Sequence, residues 1–425
     1  VGTLPFEPLK LNIGFISTRF AGTDGVSLET EKWAEVLTEA GHRCFYFAGE
    51  CDRDPAISMV VPEAHYRHPE IEDRHLAFFG KEKRPREDTT WIHQKTRELK
   101  EQLYAFVNQF EIDVLVPENA LAIPLHIPLG LAITELIAET NLPTIAHHHD
   151  FSWERKRFLV NNVWDFISMA FPPTLGAIQH VTINSSGRHQ LARRKGVVST
   201  IIPNVMHFEK PAPGIDKYNQ DLRKTLELDK DECLILQPTR IVQRKGIEHA
   251  IELVSRLDLK AALVISHAAG DEGFAYAQRL REFAEIMNVR TIFAAEIFDE
   301  KRGQTPDGRK VYSLWDAYPH ADLITYPSLI EGFGNAFLEA VYFRKPIVVN
   351  NYTIYNIDIR TKGFQVIEFD DFITRDTVRT TRTILQNSEM AARMTDHNYG
   401  LALKYYSYHV LKSKLKEMIN NLVLF

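Results

Sequence analysis

Residues 323–341 read LITYPSLIEGFGNAFLEAV, and this stretch sets the fold class. Leu323 to Pro327 is a short apolar run that fits a buried strand. Gly332 and Gly334 punctuate a loop that offers backbone N–H groups, and Phe337, Leu338 and Val341 open a helix. A strand feeding a glycine loop and then a helix is half of a βαβ unit. Glu331 precedes the loop and Glu339 follows about one turn into the helix, so both carboxylates can face the crevice at the strand's carboxyl end. Carboxylates accept hydrogen bonds from the hydroxyls of a sugar or a ribose, and a helix start favours a diphosphate. Either glutamate alone reads as an ordinary helix-start carboxylate; the pair around a Gly-x-Gly loop reads as a site.

Working outward, CLILQPTRIVQRKGIEHAIELV (233–254) repeats the pattern of strand, turn and helix. Arg240 and Lys245 flank the turn and Gly246 eases it. Two fixed cations at a strand end stabilise the charge that grows on a departing nucleoside diphosphate. Singly they read as surface charges; beside the glutamate pair they read as part of the same site.

The alternation extends through the chain. LNIGFI, CFYFAG, DVLVP, Thr144 to Ala146, His180 to Asn184 and Ser199 to Ile202 read as strands of the first half. A helix through Trp33, Val36, Leu37 and Ala40 stops at Gly41. The breaker-rich segment PNVMHFEKPAPG (203–214) suits a linker. CLILQ, AALVIS, RTIFAA, DLITYP and PIVVN supply strands of the second half. The expected architecture is α/β, two Rossmann-like doubly wound parallel-sheet domains facing a central cleft. The expected boundaries are 1–210 for the acceptor-binding domain and 211–395 for the nucleotide-sugar domain. A C-terminal helix at 396–425, striped with Val410, Leu411, Leu415, Met418 and Leu422, packs back on the first domain.

A chain of 425 residues is too long for one core, which agrees with two domains. The net charge of -6, without a basic run, argues against nucleic acid as partner. Cys44, Cys51 and Cys233 form no framework, and neither a leader pattern nor a membrane-length apolar run appears, so a cytoplasmic protein without integral membrane association is expected. A homo-oligomer is compatible with the sequence.

The two motifs together, Glu331 to Glu339 and Arg240 to Lys245, resemble those of the retaining GT-B glycosyltransferases of family 4, which include sucrose and trehalose synthases and phosphatidylinositol mannosyltransferases. The resemblance also covers the early glycine loop, the segment Ile202 to Asn204 and the aromatic helix near Tyr405 to Tyr408. It implies a retaining, metal-independent hexosyltransferase that needs no cofactor and takes a UDP-, GDP- or ADP-linked sugar as donor. Glu331 would contact the donor sugar and Glu339 the ribose. Arg240 and Lys245 would bind the diphosphate. Gly25, Phe333, Gly334 and Asn335 would complete the donor site. The sequence departs from the family at VVNNYTIYNID (348–358), where Asn351 and Tyr352 stand in place of small residues, and Asn335 replaces an apolar one. The segment EKRGQTPDGRKVYSLWDAYPHAD (300–322) is longer than usual and reads as an inserted loop or hairpin.

In PTIAHHHDF, His149 looks like the family's histidine near the reacting sugar, with His147 as the competing choice. Neighbours along a strand face opposite ways, so only His147 and His149 could share a metal, and no further ligand is evident in the sequence; no metal site is expected. Asp52-Arg53-Asp54 before Pro55 reads as a turn rather than a metal motif. Glu118 and Asn119 end DVLVP and, with Trp153, Arg155 and Arg157, are candidates for the acceptor side. The charged stretch from Pro69 to Lys100 reads as a solvated helical hairpin, or else as a surface for an anionic acceptor. The acceptor is a small polar or anionic molecule: a sugar, a sugar phosphate or a glycerate. Alternatives are a sugar phosphorylase on the same fold, a sugar-nucleotide epimerase, and a non-catalytic sugar-nucleotide-binding protein.

Overall fold

The computed structural model describes residues 10–22, 24–269 and 274–423; Thr23 of the early glycine loop and the last two residues of the tail lie outside them. The chain divides into two units. One is formed by residues up to Asn204 together with those from His409 onward, the other by Val205–Tyr408.

The first unit holds seven strands: β1 (Asn12–Ile16), β2 (Arg43–Ala48), β3 (Ser58–Val60), β4 (Val114–Pro117), β5 (Thr144–His148), β6 (Ile178–Thr182) and β7 (Ser199–Ile201). They are all parallel, in the order β3-β2-β1-β4-β5-β6-β7. Every residue of β4 and β5 is buried, because helices cover both faces of a parallel sheet; β4 accordingly reads as a continuous apolar run, while β5 buries Thr144, His147 and His148 as well. The helix Arg86–Phe110 lays Ile92, Thr96, Leu99, Leu103 and Phe106 inward at alternating spacings of four and three. Leu99, Leu103 and Phe106 pack with Phe45, Phe47, Leu115 and Ile133 in one core. Each such buried side chain contributes about 1.5–3 kcal/mol.

The charged stretch forms two helices, Pro69–Phe78 and Arg86–Phe110, and several of its cations are paired within the unit: Arg74 with Asp88, Arg84 with Asp165, Lys95 with Glu70 and Glu98. β6 ends at Thr182, two residues before the expected end, because Asn184 instead caps the helix Ser185–Lys195 by accepting the N–H of Gly187 at 2.6 Å. Asp54 does the same for the turn at Pro55, accepting the N–H of Ala56 at 2.9 Å.

The second unit has β8 (Cys233–Gln237), β9 (Ala261–Ile265) and β10 (Thr291–Phe293). The expected insertion follows as β11 (Phe298–Asp299), β12 (Gly303–Gln304) and β13 (Lys310–Ser313), a small separate sheet in the order β11-β13-β12. Then come β14 (Leu323–Tyr326), β15 (Ile347–Asn350) and β16 (Ile367–Phe369). The main sheet is parallel, in the order β10-β9-β8-β14-β15-β16. The helix Ile247–Leu257 buries Ile247, Ala250, Ile251 and Val254, a helical stripe packed on Ile235, Leu263 and Leu323.

In both sheets the order reverses at one place, between β1 and β4 in the first unit and between β8 and β14 in the second. Ligands of doubly wound sheets bind at the carboxyl ends of the strands at such a point. Among the described residues no helix is long and apolar enough to cross a membrane.

Candidate functional site

In the second unit, the chain leaving β8 carries Arg240 and Lys245, and the chain leaving β14 carries Glu331. Their strands are neighbours at the reversal point, so the sheet sets two distant segments side by side. Lys245 reaches the turn before its helix because Gly246 adopts φ 58°, and a side chain there would strike the carbonyl oxygen of Pro327 at 2.6 Å. Lys245 Nζ donates to Glu331 Oε1, with both side chains only 10% exposed. Arg244, which the sequence reading passed over, sits 3.4 Å from Glu331 Oε2 and donates to the carbonyl oxygen of Ile330 at 3.1 Å. Burial opposes ionisation of Glu331, but Lys245 and Arg244 overcome it and hold the carboxyl below the usual range. Burial also draws Lys245 down, against the pull of Glu331.

Arg240 is exposed, and its charge is felt at Lys245 and at His267. Burial first, then Arg240 and Lys245, lower His267 to about 4. Glu339 lies apart from the ion pair, on the helix Asn335–Tyr342, where it accepts the hydroxyl proton of the buried Tyr318 at 2.6 Å. Lys245, Arg244 and Glu331 are thus in direct contact, Arg240 lies within electrostatic reach, and Glu339 is fixed separately by an aromatic hydroxyl.

The departures at 348–358 have a structural account. Tyr352 is buried, and its hydroxyl donates to the carbonyl oxygen of Phe333 at 2.8 Å, so it ties down the glycine loop from behind. Gly334 is therefore obligatory twice over: its φ is 122°, and an added Cβ would lie 2.4 Å from the Tyr352 hydroxyl. Tyr326 crosses Tyr352 edge to face, and the Lys245 ammonium lies 5.6 Å from the Tyr326 ring centre. Tyr406 of the aromatic C-terminal segment packs edge-on against Phe333. Asn335 opens the helix directly after Gly334.

In the first unit, Gly25 opens the helix Gly25–Glu39 and is exposed. Asp24 caps that helix by accepting the N–H groups of Val26 and Ser27, and pairs with Arg19 at 2.9 Å. Glu118, Asn119 and His149 gather where β4 and β5 end, next to β1. Glu118 is wholly buried. Its Oε2 is 2.9 Å from His147 Nδ1 and 3.5 Å from His149 Nε2, so the carboxylate faces the two imidazoles rather than solvent. Burial, only partly offset by His149, pushes Glu118 up to about 7. Burial lowers His147 to about 3 and lowers His149 as well. No side chain that could join His147 and His149 is evident in the sequence; the neighbouring strand brings Glu118 beside them. Among the described residues, Glu118, His147 and His149 form the one group of His, Cys, Asp and Glu side chains whose ligand atoms could share a metal ion. His148 faces the other way and bonds His180 at 2.9 Å.

Asn119 adopts φ 56°, accepts the N–H of His149 at 3.0 Å and donates to Asp150 at 3.0 Å; Asp150 in turn pairs with Arg155. Trp153 stacks on Phe151 at 4.6 Å, with the Arg194 guanidinium 5.3 Å from its ring centre, so its ring already has partners. Arg157 lies against the ring of Phe158.

No family model matches the chain. It is 30% identical to the mannosylglucosylglycerate synthase of Thermotoga maritima, over 96% of this chain and 100% of that one. It is 31% identical to the mannosylglucosylglycerate synthase of Petrotoga mobilis, over 84% of this chain and 86% of that one. Among solved structures it resembles Anabaena HepE in complex with UDP and glucose, with a TM-score of 0.65 and 12% identity, covering 97% of this chain and 100% of that one. A likeness at that identity concerns the fold, which is GT-B.

Proposed function

The chain belongs to the glycosyltransferase family of the mannosylglucosylglycerate synthases, and from that premise we propose that it moves a hexosyl group, mannosyl by analogy, from a nucleotide-sugar donor to a hydroxyl of a glucosylated glycerate. The observation that carries this reading is the buried Lys245–Glu331 pair at the strand-reversal point of the second unit, beside a glycine loop and a helix start. In the free enzyme each charge neutralises the other. The donor diphosphate takes the place of Glu331 as partner of Lys245, with Arg240 adding a second cation. The freed Glu331 carboxylate then accepts hydrogen bonds from the sugar hydroxyls, and Glu339 holds the ribose.

Transfer proceeds with retention. The acceptor oxygen bonds to the anomeric carbon on the face from which the diphosphate departs, and the acceptor proton passes to the leaving phosphate oxygen. Arg240 and Lys245 carry the growing charge on the phosphates without a metal ion there. Within the second unit, Phe333, Gly334 and Asn335 line the donor; within the first, His149, Asn119 and Arg155 serve the acceptor. The domain roles follow, acceptor for the first unit and donor for the second.

The test is mass spectrometry of products from UDP-, GDP- and ADP-linked hexoses incubated with glucosylglycerate. A hexose addition that disappears in Lys245→Ala and Glu331→Ala supports the reading. Full activity in both variants, or turnover that requires inorganic phosphate in place of a nucleotide, overturns it.

A further inference from the structure

We propose that Glu118, His147 and His149 of the first unit form a binding site for one divalent transition-metal ion, with two imidazole nitrogens and one carboxylate oxygen as ligands.

The geometry is close to that of a three-ligand metal site. The three ligand atoms lie within 4.8 Å of one another. The Glu118 oxygen stands 2.9 Å from His147 Nδ1 and 3.5 Å from His149 Nε2. Ligands about 2.0–2.1 Å from a tetrahedral ion are separated by about 3.4 Å, and the two separations from the Glu118 oxygen bracket that value. The pattern His-x-His on one strand puts both rings on one face, and the carboxylate comes from the adjacent strand.

A second observation points to a ligand. His149 Nε2, the ring atom that faces Glu118 Oε2 at 3.5 Å on a side chain only 10% exposed, has no hydrogen-bond partner. Such atoms are costly in a folded protein unless something satisfies them. Glu118 and His147 are 0% and 1% exposed, so bulk water does not meet that need.

The surroundings hold the ligands still. The Trp33 ring stacks on His147 at 4.2 Å, and Asn119 fixes the backbone of His149 by accepting its N–H at 3.0 Å. Two imidazoles and one carboxylate select Zn²⁺, Co²⁺ or Ni²⁺ over Mg²⁺ and Ca²⁺, which prefer oxygen donors. With three protein ligands the fourth position is left for water or an incoming oxygen. The site lies in the first unit, whereas Arg240 and Lys245 belong to the second, so it stands independently of the charge compensation proposed for the diphosphate.

The experiment uses the full chain, stripped with chelator and loaded with Co²⁺ or Zn²⁺. The expected result is about one metal ion per chain by elemental analysis after desalting, visible d–d absorption from Co²⁺, and a raised thermal midpoint. The signals disappear in His149→Ala and Glu118→Gln and survive in His93→Ala, a histidine outside the cluster. Because His147 packs in the core, the more accessible His149 provides the variant expected to fold, as circular dichroism checks. Wild-type protein that retains no cobalt after desalting overturns the proposal, as does equal retention in all variants. Metal retention and cobalt absorption are read without any turnover, so their failure leaves the transferase reading standing, and the donor and acceptor assay tests that reading alone.

Discussion

Lys245 and Glu331 are 86 residues apart in sequence, yet their side chains form a nearly dry ion pair. The neighbouring places of β8 and β14 impose that contact, and it makes each residue a liability without the other. Removing one partner of a buried pair leaves an uncompensated charge and costs about 3–5 kcal/mol. Lys245→Met and Glu331→Gln are each expected to lower the urea midpoint strongly, and the double variant to recover much of the loss. All three are expected to lose transfer, by about 10²–10³-fold where the cation is missing. Additive destabilisation in the double variant would show that the pair is not coupled.

Gly334 offers a second check. Gly334→Ala places a methyl group 2.4 Å from the Tyr352 hydroxyl on a backbone at φ 122°. The variant is expected to melt earlier and to lose donor-induced stabilisation. Adding Tyr352→Phe removes the hydroxyl but not the backbone strain, so only part of the thermal stability returns. Full recovery would mean that the backbone bears no strain.

Tyr318 donates its hydroxyl to Glu339 at 2.6 Å and stacks on Phe343 at 4.7 Å. Tyr318→Phe keeps the stack and removes the hydrogen bond, which for a charged acceptor is worth about 1.5–3 kcal/mol. If Glu339 holds the ribose, the donor KM rises about tenfold while kcat changes little. A fall in kcat at constant KM would place Glu339 elsewhere in the reaction.

His126 sets a pH dependence. Its Nδ1 accepts the N–H of Leu129 at 3.1 Å and its Nε2 lies 2.8 Å from the carbonyl oxygen of Glu63, so it is neutral and both nitrogens are used. Burial, with smaller effects from His68 and Lys95, lowers it to about 4. The unfolded chain, with an ordinary value near about 6.5, takes up its proton first. Stability is therefore whole above about pH 6.5 and declines as the pH falls towards 4, by up to about 3 kcal/mol for this group. His126→Asn retains a capping side chain without the titration. Its urea midpoint should fall less between pH 7 and 4.5 than that of the wild type; an identical fall would exclude His126 as a source.

Much of the architecture was legible because parallel strands covered on both faces read as unbroken apolar runs, as in Leu323 to Tyr326 and Ile347 to Val349. The edge strands β3 and β16 were missed: each is three residues long, no residue of β3 is fully buried and the middle one of β16 is not, so neither leaves a run. The motifs predicted that Arg240, Lys245, Glu331 and Glu339 converge; the structure brings Lys245 onto Glu331 and holds Glu339 apart on Tyr318. Arg244 escaped notice because an arginine on a turn carries no local mark of the carboxylate it will meet. Glu118 was read as facing an acceptor because it ends a strand; its burial against His147 and His149 depends on strand order, which periodicity does not encode. Tyr352, noted as a departure, proved to be the prop behind Phe333 and Gly334.

The first unit is discontinuous in sequence: residues from His409 onward belong with those before Asn204, and Leu411, Leu415 and Met418 are buried there. During synthesis the ribosome delivers the opening lobe, then the whole second lobe, and only after both the helix that completes the first. The nascent opening lobe must therefore wait, with an apolar face uncovered, until the second lobe has left the ribosome. A premature stop near residue 408 would spoil the lobe made first, not the one made last.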